Sequence, residues 1–205
     1  MQISHNTVQK IMQKHNLNCR VRVKRYRKLG QKSFVSDNLL QREFSASRPM
    51  EKLVTDITYL PFGPKVLYLS SIMDCFNGEI ISYTISDKQD VPFVPDTLNQ
   101  LPCIELPCTL HSDQGSVYTS SSFQTQVKNK SIAMSMSRKG TPADNAPIES
   151  FHSTLKSEMF YLFPELCSST EIVSQTVINF IKYYNETRIQ AKLGYVSSVE
   201  FRLQT

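Results

Sequence analysis

Three β-rich runs open the middle of the chain. Leu53–Leu60 stops at Pro61, Val66–Met73 follows a Gly63-Pro64 turn, and Glu79–Ile85 follows Asn77-Gly78. An Asn-Gly pair between apolar runs is a strong hairpin signal, so the three runs predict an antiparallel meander. Beyond them the pattern alternates. A short helix is expected within residues 90–100, weakened by Pro92 and Pro95. Cys108–His111 reads as a strand, Ser122–Lys128 as a helix and Ser131–Met136 as a strand. Helices are expected from Pro142 to Phe163 and from Ser169 to Tyr184. A sheet followed by alternating strands and helices predicts an α/β fold, a mixed sheet flanked by helices.

The start of the chain reads differently. Ser4 to His15 fits a short helix with Ser4 as N-cap; Val8, Ile11 and Met12 form one stripe, opposite Lys10 and Lys14. That chemistry suits base edges and phosphates, as in part of a helix-turn-helix. The expected division is a basic DNA-binding segment at 1–28, a polar linker at 29–50 and a globular body at 51–205.

Charge supports this division. The 205 residues carry a net charge of +5, but residues 1–52 hold 12 Lys/Arg against 3 Asp/Glu, and no acid precedes Asp37. Arg20, Arg22, Lys24, Arg25, Arg27 and Lys28 form one dense run, suited to a polyanion. The remainder is mildly acidic. With 40% hydrophobic and 20% charged residues, wholesale disorder is excluded. No run approaches the roughly 18 apolar residues of a membrane span. The cysteines at 19, 75, 103, 108 and 167 are scattered, without a C-x-x-C pair, and read as reduced thiols in a cytosolic protein.

Three acids stand out. Asp56 interrupts a strand, where Asp is depleted and a buried carboxylate needs a partner or a task. Asp113 follows a strand, at the kind of position where sites form in open α/β sheets. Glu149 shares a polar helix face with Asn145, Ser153 and Lys156, opposite Ile148, Phe151 and Leu155. Each has an ordinary reading by itself: a hydrogen-bonded edge Asp, a turn Asp, a solvated Glu. Together, three carboxylates on a strand, a strand end and a helix are suited to converge on Mg²⁺, which prefers oxygen ligands. A pair of such ions about 3.5–4 Å apart activates an attacking hydroxyl and stabilises the leaving oxygen of a phosphodiester.

In this order the motifs resemble the DDE-type insertion-sequence transposases, OrfB proteins of the IS-three kind, which are related to retroviral integrases. The matching stretches are Thr55–Tyr59, Leu67–Ser70 with Asp74, His111–Gly115 with Tyr118-Thr119, Ser135–Gly140, Asp144–Ala146 with Glu149–Phe151, Leu155–Glu158, and Tyr184-Asn185 with Arg188 and Lys192–Tyr195. Thirty-five residues separate Asp113 from Glu149, the spacing characteristic of that class. The resemblance implies a ribonuclease-H-like fold, a five-stranded mixed sheet with helices on both faces. It assigns Asp56, Asp113 and Glu149 to catalysis and to metal binding, with Mg²⁺ or Mn²⁺, two ions, as cofactor. It implies nicking at element ends followed by attack of the freed 3′-hydroxyl on another phosphodiester. Arg138, Lys139, Asn145 and Lys156 are the expected DNA contacts in the body.

The implied partners are double-stranded DNA (terminal inverted repeats and target), further copies of the chain on that DNA, and a DNA-binding protein from an upstream frame. The implied setting is the bacterial cytoplasm at the nucleoid. The chain departs from the pattern at Leu53, Gly78, Gln190 and Ser198, where Trp, Arg, His and Pro are usual. The alternative expectation is an inactive, truncated remnant that only binds DNA. A hydrolase built on Ser112 with His111 or His152 is disfavoured, because neighbouring strand residues point to opposite faces.

Overall fold

A computed structural model describes residues 4–15, 17, 34–88, 93–104, 106–160 and 168–205. It contains two units, residues 1–30 and 31–205. In the first, helix α1 (His5–Lys14) starts at Ser4, whose side chain accepts from the Thr7 N–H. Its apolar stripe, Val8, Ile11 and Met12, is exposed. The basic run Arg20, Arg22, Lys24, Arg25, Arg27 and Lys28 lies outside the described residues.

The second unit is built on five strands: β1 (Lys52–Phe62), β2 (Lys65–Asp74), β3 (Ile80–Ser86), β4 (Cys108–Ser112) and β5 (Ile132–Met136). Their order is β3-β2-β1-β4-β5. The hairpin-linked neighbours β1, β2 and β3 pair antiparallel, whereas β1–β4 and β4–β5 pair parallel through intervening helices. This is the mixed sheet expected from the sequence. β1 runs through Pro61 instead of stopping there. Only Lys52–Val54 pair with β4, so at Pro61 one side of β1 is a free edge, where a missing N–H costs nothing.

The pleat sorts the core. Val54, Leu60 and Phe62 of β1 and Leu67, Leu69 and Met73 of β2 face one layer, with α4 (Ala146–Leu155) and α5 (Thr170–Glu186). Leu53, Ile72 and Leu110 face the other, with α2 (Phe93–Asn99) and α3 (Ser121–Asn129). Asp56 has the parity of Val54 and Leu60, which turns it toward the α4 layer.

Two segments differ from the expectation. The continuous helix expected over 142–163 is a 3₁₀ turn (Pro142–Asn145), then α4, then a π-helical turn (Lys156–Phe160); residues 161–167 lie outside the described set. Pro147 sits in the first turn of α4, where no N–H is needed. Residues 34–50 have no regular structure yet lie against the body. The Leu39 N–H donates to Ser135 Oγ (2.9 Å), the Met136 N–H donates to Asp37 O (3.2 Å), and Leu40 is 4% exposed within the α4–α5 core. Burying one leucine stabilises by roughly 1.5–3 kcal/mol.

A C-terminal helix, α6 (Ser198–Gln204), was not expected; Ser197 and Glu200 form a capping box at its start. Two departures from the family pattern meet there, Gln190 Nε2 donating to Ser198 Oγ at 2.8 Å.

Candidate active site

Asp113 stands just past the end of β4, with its Oδ1 accepting the Gly115 N–H at 2.8 Å. A side chain at 115 would put a Cβ 2.8 Å from that oxygen, so glycine is what lets the turn close on the carboxylate. Two clefts meet at this turn. One, of about 280 Å³, is lined by Asp113, Glu149, Asn145 and the Ser137–Pro142 loop. The other, of about 300 Å³, is lined by Asp56, Asp113, Tyr59 and Ser116–Tyr118. Asp113 thus shares one cleft with Glu149 and the other with Asp56.

The acids sense one another. Burial, and then the negative charge of Asp56, push the Asp113 carboxyl above its ordinary range, while the Gly115 N–H pulls it back. Glu149 is raised by burial and then by the charges of Asp56 and Asp113. Among the described residues, no three His, Cys, Asp or Glu side chains stand close enough together to hold a metal ion between them. The arrangement is an open set of oxygen donors, crowded enough to repel and accessible to solvent. That donor chemistry suits a hard divalent cation, which would relieve the repulsion.

Asn145 supports the same corner. Its Nδ2 donates to the Thr55 carbonyl (3.1 Å), one residue before Asp56, so its side chain does not cap α4. Its Oδ1 is buried without a hydrogen-bond partner among the described residues, beside the Glu149 cleft. An orphaned buried acceptor costs roughly 1–3 kcal/mol, so a donor brought by water or ligand is favoured there.

The expected DNA contacts are distributed unevenly. Lys139 is exposed on the cleft loop. Lys156 is half-buried; burial lowers its basicity and the Asp56 charge partly restores it. Arg138 lines the cleft but is held by Asp144, with Nε and Nη2 each 2.8 Å from a carboxylate oxygen.

His152 and Ser71 were not expected here. His152 lies one turn after Glu149 on α4 and is 5% exposed. Its Nε2 is 2.8 Å from Ser71 Oγ and its Nδ1 is 3.6 Å from Asp56 Oδ2. Burial lowers its basicity against the opposing pull of Asp56. The Glu149-x-x-His152 spacing was a legible signal, but the partner on β2 was not. His111 is a core histidine, bonded to Ser135 and Ser137 and remote from a hydrolase arrangement.

Comparison with known proteins agrees with the fold. Two models of the integrase core domain match residues 46–142 and 149–205. The chain is 43% identical over its whole length to InsK of Escherichia coli (strain K12), named as a transposase for insertion sequence element IS150, and covers 73% of that protein. It is 34% identical over 89% of its length to the transposase for insertion sequence element IS904 of Lactococcus lactis, covering 72% of it. The HTLV-2 integrase catalytic core domain, solved with magnesium, superposes with a TM-score of 0.61 at 14% identity, over 77% of this chain and 99% of that one. A chain of a simian T-cell lymphotropic virus intasome gives 0.62 at 16% identity, over 83% of this chain and 58% of that one. The architecture is therefore the ribonuclease-H-like fold of integrase cores.

Proposed function

Since this chain belongs to the integrase core family, as an insertion-sequence transposase, we propose that Asp56, Asp113 and Glu149 are its catalytic residues and hold a pair of Mg²⁺ or Mn²⁺ ions. The observation that carries this reading is the meeting of two clefts at Asp113, where Asp113 shares one with Glu149 and the other with Asp56, and where Asp113 and Glu149 are raised by burial and by neighbouring carboxylates. Divalent cations bound there supply Lewis acidity, activating an attacking hydroxyl and stabilising the leaving oxygen.

The substrate is double-stranded DNA. Water first opens the phosphodiester at an element end, leaving a 3′-hydroxyl. That hydroxyl then attacks a second phosphodiester, one P–O bond forming as another breaks, so no nucleotide energy source is required. The protein contributes position. Gly115 seats Asp113, Asn145 fixes the strand carrying Asp56, and Lys139 and Lys156 face the backbone of the bound strand. Arg138 shapes the loop at the rim. The basic segment within residues 1–28 tracks phosphates, and several copies assemble on DNA because two ends must be brought to one target. Retention of all three acids in accessible clefts favours the catalytic reading over a DNA-binding remnant.

The test is cleavage and joining of labelled duplexes carrying the element end, with Mg²⁺ or Mn²⁺. Asp56→Asn, Asp113→Asn and Glu149→Gln should each lower the rate by about 10³-fold or more while leaving the fold intact. A fully active triple variant overturns the assignment.

A further inference from the structure

We propose that His152, backed by Ser71, is a positioning residue for Asp56. The inference rests on the reading of Asp56 as a metal-holding carboxylate. Asp56 and Ser71 are directly opposed across the β1–β2 pair, both on the α4 face of the sheet. His152 comes down from α4 onto that pair, its ring bridging Ser71 Oγ at 2.8 Å and Asp56 Oδ2 at 3.6 Å. The first contact is a hydrogen bond. The second is looser and electrostatic, so the imidazole steers the carboxylate without saturating it.

Donor counting fixes the direction of the chain. An ionised carboxylate only accepts, so the ring presents its proton at Nδ1. A neutral imidazole has one N–H, which leaves Nε2 as acceptor and Ser71 as donor. Ser71 is fully buried, so it serves as an anchor and not as a nucleophile. Such outer contacts commonly tune metal affinity by about 10–100-fold. A histidine present only for packing would sit against Phe151, 5.5 Å away, and would need no serine at hydrogen-bond distance.

The test uses the 205-residue chain. In ¹⁵N-histidine NMR without metal, the His152 proton is expected on Nδ1; a proton on Nε2 overturns the proposal. In Mn²⁺ titrations followed by EPR, His152→Leu should weaken binding by about 10-fold or more. His152→Asn keeps an N–H donor near the Nδ1 position and should recover most of the loss. Ser71→Ala should give an intermediate loss and a mixed tautomer. A folded His152→Leu that binds Mn²⁺ like the parent overturns the proposal. If that variant fails to fold, Ser71→Ala and the parent tautomer decide instead. Asp56→Asn separates the two failures: unchanged Mn²⁺ binding there sinks the metal reading, whereas lost binding there with an unaffected His152→Leu sinks the positioning role.

Discussion

Five residues apart in the chain, Asp144 and Glu149 receive opposite treatment. The Asp144 side chain is fully buried and surrounded by donors: Asn38 Nδ2, Arg42 Nε, and the backbone N–H, Nε and Nη2 of Arg138, at 2.8–3.1 Å. The two arginines hold its carboxyl far below the ordinary carboxylate range. Glu149 is exposed, feels burial and two like charges, and takes no donor among the described residues. One carboxylate is spent on holding residues 38–42 to the loop before α4. The other keeps its lone pairs for something that arrives from solution. Oxygen count alone does not make a site; withheld donors do.

This contrast can be broken by substitution. Asp144→Asn should be the most damaging, because it removes the buried carboxylate on which Asn38, Arg42 and Arg138 converge; a fall in Tm on the order of 5–10 °C is expected in thermal melts near neutral pH. The folded-state pKa of Asp144 is depressed, so its contribution is complete above the unfolded carboxylate value of about 3.9 and is lost as pH falls below it. The gap between parent and Asp144→Asn should therefore close in acid; a gap independent of pH would mean that shape, not charge, holds the loop.

Asp113→Asn and Glu149→Gln should behave in the opposite sense. Their folded-state pKa values are raised, so in metal-free buffer the neutral substitutes relieve repulsion, and Tm should rise by about 1–3 °C even as cleavage is lost. Lowering the pH of the parent through those raised values should mimic the gain. A Tm that falls in both variants would show that these acids are structural.

The smallest effects should separate neighbours on the loop. Arg138→Ala should lower Tm, whereas Lys139→Ala should leave it unchanged and instead reduce the salt slope of DNA binding by about 1. Equal loss of slope in both would place Arg138 on the DNA despite its pairing with Asp144.

Much of this was legible in the chain. Alternation and the Asn77-Gly78 turn yielded the meander, and motif order pointed to the integrase-core sheet. Continuation of β1 past Pro61 was hidden, because edge status depends on where β4 stops. The break of the expected long helix was hidden for a related reason: Asn145 spends its side chain on Thr55, a contact 90 residues distant. α6 is short and tied down by remote partners, Arg202 pairing with Glu79 at 2.8 Å and Phe201 meeting Phe76. The resemblance implied Arg138 as a DNA contact, and nothing local announced that Asp144 would hold it together with Arg42, a partner 102 residues away. The acids were visible as types and spacing. The Ser71–His152 support was not, since it joins a strand to a helix 81 residues later.

The split between antiparallel and parallel halves of the sheet also orders events in time. The β1–β2–β3 meander closes through neighbouring turns, so it can pair as soon as it leaves the ribosome, with Asp56 already in place. Asp113 must wait for β4 to dock alongside β1, and Glu149 for a helix still further downstream. A polypeptide interrupted between β3 and α4 would hold the three meander strands and Asp56 but lack Glu149, so the three acids can come together only after nearly three quarters of the chain has been made.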